Sequence, residues 1–475
     1  MRIKKFIYIL ILTLGLNQVS LGQIALENVS VISMEDSLVL QNQLVLINNG
    51  LIEVIEPSNN IEIPAKYEKI DASGKYLMPG LYDMHMHYLS DDRIDEKYMD
   101  HEVAISLSYG VLTNRLMIGR PEHLRLKKRI ASGEIVGPRV YVASPQLSAI
   151  SFSKVFNGLV IKDFTQGYEA VKLYSDKGYD FIKLTFGLNN ESYQGIIKAA
   201  NEEGIPVVGH VSRKIKLRTS IKSGQDIEHL DQYMDAIISN EAPTDEGLSA
   251  FGIFKEDPWY TLNFIDSAKL EEVIQLTVKH DIWNTPTNFL FISSFAHKRS
   301  DSELEKSPEW SLLSTEVKKE LLKYRKKYWD KPPAEDLRIK YEKTRAYIIK
   351  EIFKRSGKIM AGSDAPEWLT LYGSGLHREL KNFVYSVGLS PYEALQTATV
   401  KPAEYLNENK SGMVKMGYNA NLVLLKDNPL ENIEAIENIE GIVLNGNWIS
   451  KTKLQVILNN SQQALNSAPL RSNEK

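Results

Sequence analysis

Two histidines separated by a single residue, His85 and His87, are the first residues of this sequence whose types and spacing suggest chemistry. Both end a short apolar segment that begins at Gly80. Side chains alternate between the two faces of a β-strand, so residues two apart lie on the same face. Two neutral imidazoles side by side can chelate zinc or a similar divalent ion. Two unrelated histidines in an apolar strand are the alternative, and the metal site is the favoured interpretation.

Three more residues of the metal-ligand type, His210, His229 and Asp364, each stand directly after a short apolar run. A lone histidine in such a place is usually a structural residue, but several ligand-type side chains at several strand ends are not expected by chance. The carboxyl ends of parallel strands meet at one mouth of a barrel, so we expect these side chains to converge there. Glu228 adjoins His229, but strand alternation places it on the opposite face, and it is left out of the metal set.

Lys183 lies inside the apolar run 180–186. A charged amine is costly to bury, so a lysine in such a strand needs a reason. One interpretation is a structural lysine at the strand edge with a carboxylate partner. The other is a lysine whose amine has been carboxylated by CO₂, which turns a cation into an anionic ligand with two oxygens that can bridge two metal ions.

The segment 79–403 alternates between short apolar runs and helix-like stretches, which predicts an α/β fold. Eight strand candidates with intervening helices favour a (β/α)₈ TIM barrel, and a doubly wound open sheet is the competing arrangement. The strand candidates lie near residues 81–86, 109–114, 139–143, 180–186, 205–210, 226–229, 282–286 and 358–363. Residues 289–356 break the alternation, and we interpret them as a helical insert between the seventh and eighth strands, overhanging the mouth that holds the ligands.

The two ends of the chain are rich in strand signals. Near the amino terminus, two apolar runs flank Asn48-Asn49-Gly50, a sequence typical of a β-hairpin turn. Similar short apolar runs recur near the carboxyl terminus. Short strands are marginally stable alone, so we expect residues 23–78 and 404–458 to form one small composite β-sandwich domain. Residues 459–475 are interpreted as a polar tail, either loose chain or a frayed helix.

The first 22 residues have the three parts of a secretory signal peptide: a basic start, an 11-residue apolar run at 6–16, and small residues at the expected cleavage site, Ser20 and Gly22. The apolar run is too short to span a bilayer comfortably. We therefore expect an exported protein, periplasmic or secreted after cleavage, with no stable membrane anchor.

Composition narrows the classes of function. The chain has 475 residues, of which 43% are hydrophobic and 25% charged, and this excludes a disordered protein. The formal net charge of −3 gives no reason to expect nucleic acid as a partner. The absence of cysteine excludes a thiol nucleophile and removes thiolate from the possible metal ligands. Histidine, carboxylate and a modified lysine are the ligand types that remain.

Taken together, these motifs resemble the amidohydrolase superfamily, metal-dependent hydrolases built on a (β/α)₈ barrel, and in particular its imidazolonepropionase-like and dipeptidase-like branch. The resemblance extends from about residue 24 to 450. The segments that carry it are 79–87, 181–184, 209–210, 227–229, 362–365, 412–417, 421–425 and 428–430.

The resemblance implies two divalent metal ions, with Zn²⁺ as the expected metal. His85, His87 and Asp364 would hold one ion, His210 and His229 the other, and carboxylated Lys183 would bridge them. It further implies hydrolysis of a C–N bond in an amide, a peptide-like bond or a cyclic amide by a metal-activated hydroxide, with Asp364 as general base and proton shuttle.

Alternatives stay open at this point. A single-metal deaminase or cyclic amidohydrolase is one, although such relatives generally lack the lysine. A non-catalytic metal-binding barrel is the other. The Gly-Gly-His stretch of the similar dipeptidases is absent, so we do not carry over their specificity. We expect a small-molecule or short peptide-like substrate, and the resemblance leaves a homo-oligomer open.

Overall fold

The computed structural model describes residues 22–471, except for 92, 150–157, 245–256, 298–299, 329–332 and 368–369. The predicted signal peptide lies outside the described residues apart from Gly22. Within the described part of the chain, no helix combines the length and the apolar character needed to span a bilayer.

Seventeen strands form three sheets across these described ranges. In chain order they are β1 (Ile24–Ile32), β2 (Val39–Asn48), β3 (Leu51–Pro57), β4 (Glu68–Asp71), β5 (Tyr76–Pro79), β6 (Leu81–Met86), β7 (Val111–Leu116), β8 (Arg139–Val142), β9 (Leu147–Ser148), β10 (Leu159–Val160), β11 (Ile182–Leu184), β12 (Val207–Gly209), β13 (Asp226–Glu228), β14 (Asn284–Thr285), β15 (Leu422–Leu425), β16 (Ile439–Leu444) and β17 (Asn447–Ser450). Together with the helices, they give the chain the predicted α/β class.

The helices alternate with the strands through the middle of the chain. The α-helices are α1 (Met99–Ser108), α2 (Pro121–Ala131), α3 (Phe164–Asp176), α4 (Asn190–Glu203), α5 (Leu217–Lys222), α6 (Tyr233–Ala236), α7 (Ser267–Lys279), α8 (Asn288–Leu290), α9 (Asp301–Glu305), α10 (Thr315–Tyr328), α11 (Glu335–Ser356), α12 (Ser374–Asn382), α13 (Pro391–Gln396), α14 (Val400–Tyr405) and α15 (Lys451–Asn466). Shorter 3₁₀ turns lie at Leu89–Asp91, Glu96–Tyr98, Asp257–Phe264, Pro308–Leu312 and Ile433–Glu437, and π-helical turns at Phe291–Ala296 and Phe383–Val387.

The two ends of the chain meet in one mixed sheet of eight strands. Its order is β17-β16-β15-β5-β1-β2-β3, and β4 pairs with β1. Strand β5 from the amino-terminal part pairs antiparallel with β15 from the carboxyl-terminal part, with Leu77 opposite Leu424. The hairpin predicted around Asn49 and Gly50 is confirmed: β2 ends and β3 begins beside them, and both have the positive φ that a tight hairpin turn requires.

Two all-parallel sheets occupy the middle of the chain, with orders β6-β7-β8 and β10-β9-β11-β12-β13-β14. Seven of the eight predicted apolar runs overlap one of these strands. The eighth run, 358–363, is described throughout but makes only isolated parallel bridges, from Ile359 to Asn284 and, just beyond the run, from Ala365 to Met86. A further bridge, from Ala143 to Phe181, joins the two sheets at β8 and β11.

Helices α3 and α4 show how local sequence sets the bounds of an element. The side chain of Asp163 accepts a hydrogen bond from the backbone N–H of Gln166, and Asn189 does the same for Ser192. Such caps satisfy amides that have no partner inside the helix and contribute about 1 kcal/mol each. Helix α4 ends where Gly204 adopts a left-handed conformation, a common helix stop.

The first part of the predicted tail, 459–466, is helix rather than loose chain, and residues 472–475 lie outside the described part of the chain. Helix α15 continues to Asn466, and Leu465 and Ala468 are buried beyond its midpoint. Leu454 is also buried, and Leu465 follows it by three helical turns on the same face, so burial of this apolar face stabilises the helix. Leu470 then pairs with Ile94 through an isolated bridge.

We expect Leu77 and Leu424 to stabilise the shared sheet jointly, because they are register partners and both are fully buried. Each single change to alanine should lower the free energy of unfolding by about 2–4 kcal/mol, and the double variant should show a coupling of about 0.5–3 kcal/mol. Urea titration of the four proteins measures both quantities. Leu40→Ala, on an exposed part of β2, is the control. Strictly additive effects of the two changes would contradict the pairing.

Candidate metal centre

His85, His87 and Asp364 converge in the structure as the sequence predicted. Their ligand-type atoms lie within 4.8 Å of one another, and all three residues are buried. Oδ1 of Asp364 is 3.4 Å from Nε2 of His85 and 3.1 Å from Nε2 of His87. Three such donor atoms facing one point are the arrangement that a divalent metal ion needs.

The backbone explains why these three side chains meet. The N–H of Asp364 donates to the carbonyl of His85 at 2.7 Å, and the N–H of His87 donates to that of Ala365 at 2.6 Å. These two bonds set the last predicted strand segment beside the end of β6. Asp83 strengthens the junction, because its carboxylate accepts hydrogen bonds from the N–H and the hydroxyl of Ser363.

His229 and His210 extend the cluster on its other side. The ring centroid of His229 lies 4.5 Å from that of His85 and 4.9 Å from that of His210. Nδ1 of His229 is 3.7 Å from Oδ2 of Asp364. Gly209 brings His210 close to β11: its φ is +122°, and a Cβ atom there would lie 2.4 Å from the carbonyl oxygen of Leu184. A larger residue would therefore push the His210 strand away.

Lys183 lies at the centre of β11 and is 2% exposed. Its side chain runs beside Gly209, whose absent Cβ atom leaves room for the methylene at Cδ. Burial lowers the pKa of Lys183 to about 8, although the carboxylates of Glu228 and Asp364 oppose this shift. An appreciable fraction of the amine is therefore neutral near pH 8, and a neutral amine is the form that reacts with CO₂.

Glu228 belongs to the surroundings of the site, and its predicted orientation was wrong. Its carboxylate lies 2.7 Å from Nδ1 of His85 and 2.7 Å from a terminal nitrogen of Arg115. The next residue, His229, has a φ of +63°. This left-handed step ends the strand alternation on which the prediction relied, so neighbouring residues can both serve the site.

Arg115 was not selected from the sequence, yet it is fully buried below the cluster. Its Nε donates to the carbonyl of Met84 at 2.5 Å, and its guanidinium lies 5.5 Å from the ring centroids of both Phe181 and Tyr405. The available signal was a charged residue directly after the apolar run at 109–114, and the structure places it inside β7. Arg115 supplies the positive charge that balances the buried Glu228.

The protonation states suit metal binding. Burial holds the pKa of His85 well below its ordinary value despite the opposing charge of Asp364, and burial together with neighbouring histidines does the same for His229. Burial alone would raise the pKa of Asp364, but the facing His85, the contact with His87 and the charge of Lys183 lower it. The lowered pKa values favour neutral imidazoles at His85 and His229 and an ionised carboxylate at Asp364, which are the forms that bind metal.

The tautomer of His85 shows directly whether this residue can bind a metal ion. Its Nδ1 faces the carboxylate of Glu228, which can only accept, so Nδ1 carries the proton and the lone pair of Nε2 is free to bind a cation. Nδ1 of His87 is buried without a hydrogen-bond partner. The donor set therefore fits a divalent metal ion.

Comparison with known proteins gives the class. The model of the amidohydrolase family matches residues 76–449, which is more than half of the chain. Ochratoxinase from Aspergillus niger is 22% identical over 463 residues, covering 85% of this chain and 81% of the relative. The crystal structure of A. niger ochratoxinase is similar with a TM-score of 0.61 at 19% identity, covering 90% of this chain and 96% of the other.

Two further solved structures have the same fold. The bottromycin amidohydrolase has a TM-score of 0.69 at 15% identity, covering 93% of this chain and 90% of the other. A Xaa-Pro dipeptidase with bound methionine in its active site has a TM-score of 0.63 at 19% identity, covering 90% and 100%. These neighbours imply a TIM-barrel-like α/β fold for this chain.

The chain belongs to the amidohydrolase family, as the sequence motifs predicted. It is accordingly an enzyme, a hydrolase that acts on carbon–nitrogen bonds, in a metal-dependent family.

We expect Glu228→Gln to weaken zinc binding by about 10–100-fold, because the amide no longer fixes the tautomer and orientation of His85. It should also lower the free energy of unfolding of the metal-free protein by about 3 kcal/mol, since Arg115 keeps its charge and loses its partner. Competition with a chelator measures the first effect and urea titration the second. Glu169→Gln, at an exposed position of α3, is the control. Unchanged zinc affinity would contradict this role of Glu228.

Proposed function

We propose that this protein is an exported amidohydrolase that hydrolyses a C–N bond in an amide, a peptide-like bond or a cyclic amide. Two divalent metal ions, with Zn²⁺ as the expected metal, would be held by two groups of side chains. His85, His87 and Asp364 form one group, His210 and His229 the other, and carboxylated Lys183 connects them. Export to the periplasm or the exterior rests on the leader pattern at residues 1–22.

One observation carries this proposal: His85, His87 and Asp364 are buried with their ligand atoms within 4.8 Å of one another. Burying imidazoles and an ionised carboxylate has a desolvation cost, which a bound cation would offset. The rings of His229 and His210 continue directly from this group. A dinuclear centre gives all five side chains a common role.

The chain's own residues supply the proton chemistry. Bound divalent ions lower the pKa of water and polarise a carbonyl group. The lowered pKa keeps Asp364 ionised, and its Oδ1 faces His85 and His87. Its carboxylate can therefore accept a proton from the attacking water and deliver it to the leaving nitrogen. Glu228 keeps His85 in the required tautomer throughout.

Lys183 supports two ions rather than one. Its amine is buried, and its lowered pKa gives a neutral fraction that can attack CO₂, forming an N–C bond and releasing a proton. The resulting carbamate is an anion, so it removes the cost of a buried cation while adding two oxygen ligands.

We also assign the parallel strands to one (β/α)₈ barrel and the terminal strands to one composite β-sandwich domain. Hydrogen bonds and bridges run in order from β6 to β8, across to β11, on to β14 and through 358–365 back to β6, which supports a closed ring. The pairing of β5 with β15 supports the joint terminal domain.

The substrate is small or short and peptide-like. The similar proteins support this class, since their names include a dipeptidase and the bottromycin amidohydrolase. A second candidate is a single-metal deaminase or cyclic amidohydrolase. It is favoured by one observation: within the described residues, His85, His87 and Asp364 are the one group of three or more His, Cys, Asp or Glu close enough to hold an ion.

We expect Asp364→Asn to abolish hydrolysis, with a loss of at least about 100-fold in kcat, because an amide cannot shuttle the proton. The metal-replete protein is screened against amides, dipeptides and lactams, and each active substrate is then tested with the variant. Asp281→Asn, an exposed carboxylate after α7, is the control and should retain activity. Hydrolysis that survives Asp364→Asn would rule out the proposed role.

Lys183→Ala separates the dinuclear from the single-metal enzyme. In a dinuclear centre the bridging group is lost, and metal content after loading with zinc and bicarbonate should fall from about two ions per chain to about one. Elemental analysis of the dialysed protein gives the ratio. Lys319→Ala, an exposed residue of α10, should leave the ratio unchanged. Equal metal content in wild type and Lys183→Ala would favour the single-metal enzyme.

A further inference from the structure

We propose that Arg345, a residue of the helical insert, is a positioning residue for His229. The inference rests on the proposed metal centre, because it concerns how one of the candidate ligands is held. Arg345 belongs to α11 and lies 57 residues along the chain from Asn288, which it contacts. It is 2% exposed.

The guanidinium of Arg345 binds the backbone of two neighbouring loops. One terminal nitrogen donates to the carbonyl of His229 at 3.0 Å, and the other donates to the carbonyl of Pro286 at 2.9 Å. Its Nε donates to the side-chain oxygen of Asn288 at 2.7 Å. A single side chain thereby ties the loop after β13 to the loop after β14.

Both loops contain strained backbone at these points. His229 and Leu230 have φ values of +63° and +53°, and Thr287, which follows Pro286, has a φ of +44°. The left-handed region costs a residue with a side chain about 1–2 kcal/mol, and such a conformation persists only where the surroundings impose it. The two carbonyl contacts of Arg345 lie at His229 and directly before Thr287, where they can hold this conformation.

The same strained residues orient the imidazole. Nδ1 of His229 lies 2.8 Å from the hydroxyl oxygen of Thr287, and the N–H of His229 donates to the carbonyl of Thr285 at 2.8 Å. The ring of Phe291 lies 5.5 Å from the imidazole and 4.6 Å from the guanidinium of Arg345. Moving Arg345 would therefore disturb the backbone, the hydroxyl partner and the packing of His229 together.

Glu379, on α12, fixes the backbone at Asn288, the residue whose side chain Arg345 contacts. Its carboxylate accepts the N–H groups of Asn288 at 2.7 Å and of Phe289 at 2.6 Å. The side-chain amide of Asn288 also donates to Asn382 at 2.7 Å. Asn288 is thus fixed on two sides, and it presents a firm acceptor to Arg345.

Docking of α11 alone does not require an arginine. The helix already buries Ile348, Ile349 and Ile352 against the main core, and an apolar side chain at 345 would extend that contact. Burying a guanidinium instead has a large desolvation cost, which is offset only by well-placed acceptors. The acceptors here are the carbonyl groups next to a candidate ligand, which gives the helical insert a role in the metal centre.

Three variants test the inference: Arg345→Met removes the donors, Arg345→Lys keeps a charge, and Arg355→Met is the control, since Arg355 lies on the same helix in a surface ion pair. Hydrogen exchange of the metal-free proteins is the first measurement. Arg345→Met should exchange at least about 10-fold faster in peptides covering 227–232 and 284–291, and like wild type in 81–87. In the two loops, Arg345→Lys should exchange at a rate between those of wild type and Arg345→Met. Unchanged exchange in both loops would overturn the proposal.

Zinc titration is the second measurement. We expect Arg345→Met to weaken zinc binding by about 10–100-fold, and to have no further effect in a His229→Ala background, because it acts through His229. Equal losses in both backgrounds would mean that Arg345 only stabilises the fold, and would overturn the proposal. If wild type binds no zinc, the proposed function fails, while the exchange measurement still decides whether Arg345 fixes the two loops.

Discussion

The carboxylate of Glu228, held between the imidazole of His85 and the guanidinium of Arg115, is the interaction on which the site depends. All three groups are at most 1% exposed, so water does not screen or solvate them. An ionised Glu228 is tolerable there only because Arg115 balances it. In return, Glu228 gives His85 the tautomer that leaves Nε2 free for a cation.

The ion pair between Glu228 and Arg115 is part of a larger buried polar network. Arg115 is held by the carbonyl of Met84 and by the hydroxyl of Thr285, and it lies against the ring of Tyr405. The hydroxyl of Tyr405, at the end of α14, donates to Asp226 on β13. Burial raises the pKa of Asp226 to about 7, against the hydrogen bonds that oppose it. The polar network below the ligands thus links five elements, β6, β7, β13, β14 and α14.

Much of this site could be predicted from the sequence, because its candidate ligands lie at the ends of strands, where the two-residue alternation of side chains applies. His85 and His87 show the two-residue period, and Asp364 follows an apolar run, so their convergence required only parallel strands. Glu228 could not be predicted, since the alternation rule fails where His229 turns left-handed. Arg345 gave no signal either, because it is one of many charged residues of α11 and its contacts come from loops distant in the sequence.

Some elements of the fold could likewise be predicted from the sequence, and others could not. Strands with strong apolar patterns, such as the hairpin around Gly50 and the run before His85, were predicted within a few residues. The run before Asp364 makes single bridges instead of a regular strand. Residues 459–466 look polar by composition, and only the spacing of Leu454 and Leu465 indicates that the helix has a buried face.

The central claim is that these buried side chains form a dinuclear metal centre. Anomalous diffraction at the zinc edge, from crystals grown with zinc and bicarbonate, tests it most directly. The account predicts two peaks, one bounded by His85, His87 and Asp364 and the other by His210 and His229, with density for a carbamate beyond the amine of Lys183. A zinc-loaded crystal with no anomalous peak among these residues, or with only one, would contradict it.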